Sequence, residues 1–364
     1  MSKHAKSARP AIVPAARETA PPVGKMIALC TTTAALHAPH TRRDAVGLAL
    51  AAAAAPHAAP VANAAASSKY PSSTVLADGL SFPLASFGLQ YYDDATAERL
   101  TRLAIEAGFR NFFAGINLQN QRGFARGVKA SGIPRDELFI CGSVLRNRAL
   151  DTGTAYKLTA TECAENLDAF SAGGITSLDM IILDRARKSP WPDEMIRAQW
   201  RALEDFKAQG GAKSLAVSNF SPVHLDAILL EKGRRAKPTV NHLDFCVGFH
   251  DPGVVAANGR RGVHVQAWSP LGQGRLTRFL SDAPEAQQTC AEVGAKYGKS
   301  ACQVALRWVT QSGCSFAVAT SSAAHFAEDL ALFDWQLNRK DMERLEAINK
   351  QPAFAAVNKQ RGWY

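Results

Sequence analysis

Lys213-Ser214-Leu215-Ala216-Val217-Ser218-Asn219-Phe220-Ser221-Pro222 is the stretch that decides the fold. An apolar run, Leu215 to Val217, stops on Ser218-Asn219, and Ser221-Pro222 opens a helical pattern that continues over residues 223–230. Ser221 has the chemistry of an N-cap and Pro222 that of a first helical residue. A buried strand that turns directly into a helix is the repeating unit of a parallel α/β protein. In such proteins the C-terminal ends of the strands are where ligands bind. The Asn219 side chain can both donate to and accept from a flat amide. The same residues also suffice as a plain helix start, so this stretch by itself names no ligand.

Outward from it, strand-like and helix-like segments alternate. A short hairpin comes first, over 74–83, with Asp78-Gly79 as its turn. Strands are predicted at 84–88, 109–114, 137–142, 178–183, 215–217, 239–243, 263–268 and 316–319. Helices are predicted from Ala95 to a stop at Gly108, and over 121–131, 159–172, 195–209, 223–230, 254–258, 288–297, 301–310, 324–332 and 341–348. Eight apolar strands, each followed by a helix, predict a (β/α)8 TIM barrel of the α/β class. The alternative, an open doubly wound sheet, normally carries a Gly-rich phosphate loop after its first strand; Phe87-Gly88-Leu89-Gln90 is not one.

The chain has 364 residues and a net charge of +10, about half of it in the first 66 residues. The body carries no Lys/Arg block interleaved with aromatics, which argues against nucleic acid as a partner. Seven cysteines are scattered without metal-type spacing or a CxxC pair, so no metal site is expected, and most should pack as small apolar side chains. Cys141, near a strand end, is the one weighed as a reactive thiol.

Residues 1–66 are rich in Ala and Pro and poor in acids, and they predict a targeting segment apart from the barrel at 67–364. Arg42-Arg43, an apolar run from Ala45 to Ala55 and Ala62-Asn63-Ala64 form a charged n-region, a short h-region and an A-x-A site. A second hydroxylated, acid-free segment from Met26 precedes it. Two such segments in series resemble the bipartite presequence of plastid proteins sent to the thylakoid lumen by the twin-arginine route. A bacterial periplasmic signal and a disordered tail are the alternatives. The apolar run is too short to span a membrane, and no other stretch reaches that length.

The motifs of the body carry a family resemblance. They are Glu106-Ala107-Gly108-Phe109-Arg110, Ser131-Gly132-Ile133-Pro134-Arg135-Asp136-Glu137-Leu138, Ala202-Leu203-Glu204, Val217 to Pro222, Val240-Asn241, Gln266 to Gly272, and Tyr297-Gly298-Lys299 with Gln303 to Trp308. From Leu84 to Asn349 the chain resembles an aldo-keto reductase, an NADPH-dependent carbonyl reductase on a (β/α)8 barrel. The resemblance makes the hairpin a plug at the bottom of the barrel. It also implies a general-acid Tyr, a Lys and an Asp that lower its pKa, and a substrate-orienting His. Those four positions hold Leu118, Ser143, Phe113 and Asp184. Phe and Leu transfer no protons, so the usual acid catalysis is unavailable.

The implied cofactor site is mixed. Ser218 and Asn219 match the pair that holds the nicotinamide carboxamide, and Trp268 stands where an aromatic stacks on that ring. Ser269, Leu271 and Gly272 match the pyrophosphate loop. His242 replaces a Gln. The basic clamp for the 2′-phosphate, a Lys-Ser followed by an Arg, reads Thr320-Ser321-Ser322-Ala323-Ala324-His325, with Glu328 and Asp329 near the expected adenine contacts. A phosphate without a cationic partner binds weakly, so weakened binding of NADP or NAD is expected. Three functions follow as expectations: a catalytically degenerate reductase kept as a binding or scaffold module with a small-molecule or protein partner; a working NAD(P)H oxidoreductase with altered proton transfer; or a non-redox enzyme using Asp184, Arg185, His242 and Asp244. Trp363 and Tyr364 of the C-terminal tail are placed by the resemblance near the substrate pocket.

Overall fold

The computed structural model describes residues 68–89, 92–184, 191–272 and 284–348. The targeting reading of residues 1–66, Arg185 and the C-terminal tail lie outside them. Strands β1 (Ser73–Val75) and β2 (Ser81–Pro83) pair antiparallel as the expected hairpin, and Gly79 supplies the positive φ of its turn at 87°. Eight parallel strands then close into a barrel: β3 (Ala85–Gly88), β4 (Asn111–Phe113), β5 (Phe139–Leu145), β6 (Leu178–Asp184), β7 (Ala212–Ser218), β8 (Val240–Asp244), β9 (His264–Trp268) and β10 (Ser315–Val318). The helices between and after them are α1 (Asp94–Ala107), α2 (Gln121–Ser131), α3 (Thr152–Ser171), α4 (Asp193–Ala208), α5 (Pro222–Leu229), α6 (Pro252–Gly259), α7 (Pro284–Tyr297), α8 (Ala301–Gln311), α9 (Ala323–Leu330) and α10 (Arg339–Glu346). None of the described helices is long and apolar enough to cross a membrane.

Two cores follow from the alternation along each strand. Outward residues such as Phe87, Phe112, Ile140 and Leu215 pack under the helices, where Phe87 meets Phe109 and Phe326 edge to face. Inward residues Phe139, Cys141, Met180, Ile182, Ala216 and Val240 form a separate inner core closed by Leu76 and Phe82 of the hairpin region. The hairpin is therefore a plug. Cys141 belongs to this inner core, in mid-strand, and burial pushes its thiol well above the usual range. A thiol held protonated is a poor nucleophile, so Cys141 is a packing residue.

The sequence Pro134-Arg135-Asp136-Glu137 has a structural task. Arg135 donates to the carbonyls of Leu138 and Ser177 and pairs at 2.7 Å with buried Asp179. Asp179 also pairs with Lys213 at 2.8 Å and accepts from the backbone N–H of Ile140 at 2.9 Å. This one carboxylate ties β5, β6 and β7 together. Asp179→Leu is expected to cost about 2–3 kcal/mol, because it leaves a buried N–H unpaired and two cations without their partner. Urea denaturation at neutral pH checks this, and an unchanged midpoint would remove the node from the account.

Several helix and strand limits depart from the sequence expectation: α7 begins at Pro284 rather than 288, and β7 at Ala212 rather than 215. Helix α3 begins at Thr152 rather than near 159, because Asp151 caps it by accepting from the Thr154 N–H. Strand β5 runs on to Leu145, so Ser143 lies within the strand and not at its end.

Candidate functional site

The turn after β7 is built as the sequence suggests. Ser221 Oγ caps α5 through the His224 N–H, and Pro222 occupies the first turn. Asn219 takes the left-handed conformation, φ 63°. Asn241 enforces it: its amide donates to Phe220 O at 2.8 Å and accepts from the Phe220 N–H at 3.4 Å. The Asn219 N–H itself donates to His242 O at 3.0 Å. The Val240-Asn241 motif thus holds the Ser218-Asn219 turn from the neighbouring strand.

Asn219 Nδ2 donates to Asp184 Oδ1 at 3.1 Å and to Ser218 Oγ at 3.0 Å, while Asn219 Oδ1 accepts from Trp268 Nε1 at 3.2 Å. The ends of β6, β7 and β9 are therefore joined by side chains at the mouth of the barrel. Trp268, expected as a stacking ring, here spends its N–H on the amide it was expected to accompany.

Phe113 meets His242 edge to face, with ring centroids 5.3 Å apart. His242 is 5% exposed, its Nε2 has no hydrogen-bond partner among the described residues, and burial pushes its imidazole down to about 3. It is neutral at neutral pH and too weak a base to take a proton there. Ser143 is fully buried with its Oγ likewise unpartnered among the described residues. A Cβ added at Gly115 would lie 2.8 Å from that oxygen and 3.0 Å from the Phe113 ring, so only glycine lets the chain pass this close. Leu118 is buried in the outer core. Where an acid, its two tuning partners and a His were implied, the described residues present a wedge of hydrocarbon around Phe113, a neutral imidazole and one carboxylate, Asp184.

The second cluster follows β9 and β10. Ser269 adopts φ 49° and Gly272 φ 79°, in a turn closed by the Gly272 N–H on Ser269 O; Leu271 is buried beneath it. Thr320 Oγ1 lies 3.0 Å from His325 Nδ1. Ser321 is exposed, His325 and Glu328 are half-buried, and Asp329 is fully buried.

A sequence model of the aldo/keto reductase family matches residues 80–350. The chain belongs to the aldo/keto reductase family. It is 29% identical over 269 residues to the glyoxal reductase of Bacillus subtilis, covering 74% of this chain and 88% of that protein. It is 26% identical over 258 residues to the 9,11-endoperoxide prostaglandin H2 reductase of Trypanosoma cruzi, covering 71% and 84%. Among solved structures it resembles an aldo/keto reductase from Brucella melitensis, with TM-score 0.66, 24% identity, and 77% and 100% of the two chains covered. An aldo-keto reductase from a deep-sea metagenome gives TM-score 0.66 at 20% identity, covering 76% and 94%. At those identities the likeness is one of fold.

Aldo-keto reductases generally use NAD(P)H. Ser218 and Asn219, which the resemblance assigns to the nicotinamide end of such a cofactor, present an amide whose hydrogens are already bound to Asp184 and Ser218. Thr320, Ser321 and His325, which the resemblance assigns to the 2′-phosphate end, include no permanent cation. Among the described residues so assigned, a 2′-phosphate finds no cationic partner and the fit to a 2′-phosphorylated dinucleotide is poor. Sequence reasoning named these residues but missed two features of their arrangement. One is the line from Asp184 through Asn219 to Trp268. The other is the burial of Ser143, for which the extra β-branched and apolar pair Val144-Leu145 was the available signal.

Proposed function

We propose that this barrel has given up carbonyl reduction and serves as a binding module, with weakened affinity for NADP or NAD. Phe113 and Leu118, standing where the resemblance implied an Asp and a general-acid Tyr, carry the reading: neither can protonate a carbonyl oxygen as hydride arrives. Losing such an acid costs roughly 10²–10⁴ in rate. Arg42-Arg43, the apolar run after them and Ala62-Asn63-Ala64 support export, to the thylakoid lumen or alternatively the bacterial periplasm.

A second reading, an oxidoreductase with altered proton transfer, is favoured by Ser218, Asn219 and Trp268 meeting at one mouth. Titration of residues 67–364 with NADPH and NADH, followed by a glyoxal and aldehyde screen, separates the two. The expected outcome is binding weaker than micromolar and no turnover above buffer. Micromolar binding with turnover would establish the second reading and end the first.

A further inference from the structure

Asp184, Asn219 and Trp268 come from the ends of three strands, yet they form one hydrogen-bonded line, with contacts of 3.1 and 3.2 Å. A carboxylate only accepts and an indole N–H only donates, so these partners fix which way the Asn219 amide faces. Its second hydrogen is spent on Ser218 Oγ at 3.0 Å. The side chain has no freedom to turn away, because its backbone is held at φ 63° and the residue is only 9% exposed. A planar carboxamide recognises another amide by giving its N–H to the C=O and taking an N–H on its own C=O. Here Asp184 takes that N–H and Trp268 bonds that C=O.

We propose that Asp184 and Trp268 are specificity-determining residues: they latch the Asn219 amide and exclude carboxamide ligands, nicotinamide among them, from the mouth of the barrel. The proposal deepens the reading of a barrel with weakened dinucleotide affinity, for which it supplies a cause at the nicotinamide end. A ligand entering there has to displace a charge-assisted hydrogen bond that is largely shielded from water, which is costlier than displacing solvent.

Reduced nicotinamide mononucleotide is the suitable probe, since it carries the carboxamide without the adenosine end. Asp184→Leu keeps the approximate shape and removes the acceptor. Asp184→Asn keeps an acceptor carbonyl. Trp268→Phe keeps an aromatic ring and removes the N–H. By calorimetry, Asp184→Leu and Trp268→Phe are expected to bind the mononucleotide at least tenfold more tightly than the unaltered chain, and Asp184→Asn within about threefold of it. In ¹⁵N spectra the Asn219 side-chain NH2 signal is expected to respond to the mononucleotide in the first two variants and not in the unaltered chain. Equal affinity across the proteins that fold, with no response of that signal, overturns the latch. Should Asp184→Leu fail to fold, Trp268→Phe carries the same test. Aldehyde turnover by the unaltered chain speaks against the binding-module reading instead, so the two failures are told apart.

Discussion

Phe113→Asp alone is expected to cost the fold about 3 kcal/mol, and adding Ser143→Lys, Leu118→Tyr and Asp184→His is expected to return part of that loss without creating an NADPH-selective reductase. The Phe113 ring packs on His242 and lies beside Gly115, so removing it opens space at the mouth. The new carboxylate faces the neutral imidazole of His242. Phe113 is paired with Cys141, and Ser143 lies two residues further along the same face of β5. A lysine at 143 can therefore reach an aspartate at 113, and the pair should be less destabilising together than the sum of the singles by about 1–3 kcal/mol.

Activity is a separate matter. Asp184→His also replaces the carboxylate acceptor of the Asn219 amide by an uncharged imidazole nitrogen, so the hold on that amide weakens in the same variant. The adenosine end gains nothing, because Thr320, Ser321 and His325 remain without a permanent cation. The quadruple variant should therefore treat NADH and NADPH alike, within about threefold in kcat/KM. Urea denaturation of the single, double and quadruple variants, with rates measured on both cofactors, checks each part. A preference for NADPH above tenfold would sink the claim that the phosphate end lacks a cationic partner.

How much of this could be read in advance varies by element. The barrel was legible because each strand is a short apolar run ended by a turn residue, and because Ser221-Pro222 marks a helix start in plain capping chemistry. The hairpin was legible from Asp78-Gly79, and its role as a plug only through the family resemblance. Strand ends were legible too: Phe113, Asp184, Ser218 and Trp268 close β4, β6, β7 and β9, and Asn219 follows β7. Partners were not. Nothing in a linear string says that the indole at 268 will turn its N–H to the amide at 219, since that depends on the angle at which β7 and β9 meet the mouth. The depth of Ser143 was missed for a different reason. Val144-Leu145 continues the apolar run, but the turn-like Arg146-Asn147 is just as compatible with a strand ending two residues earlier.

Acid is expected to unfold this chain earlier than its carboxylates alone dictate, with two histidines responsible. Burial pushes the His242 imidazole down to about 3 and that of His264 down to about 4. For His264 the geometry gives the reason directly: the Ser315 backbone N–H donates to Nε2 at 3.2 Å, so that nitrogen must stay an acceptor. Both folded values lie below the unfolded value near 6.5. As pH falls through 6.5 the unfolded chain takes up protons that the folded chain refuses, and stability falls until the folded values are reached. At pH 4.5 the buried His242 accounts for a loss of about 2.7 kcal/mol, and half-buried His264 for somewhat less. Together they consume much of the 5–15 kcal/mol that a domain of ordinary stability possesses. Asp205, Asp226 and Asp341, whose carboxyls are held low by Tyr156, by Arg261 and by Lys296 with Tyr297, weaken the fold only below the ordinary carboxylate range. Glu162, raised by burial, works the other way. The window between pH 6.5 and 4 therefore belongs to the histidines. Urea midpoints measured across it should fall with decreasing pH, and His242→Gln, which keeps a polar side chain without a titrating group, should remove about half of the fall. A midpoint that stays level from pH 7 to 4.5 would mean that neither ring is held neutral by the barrel.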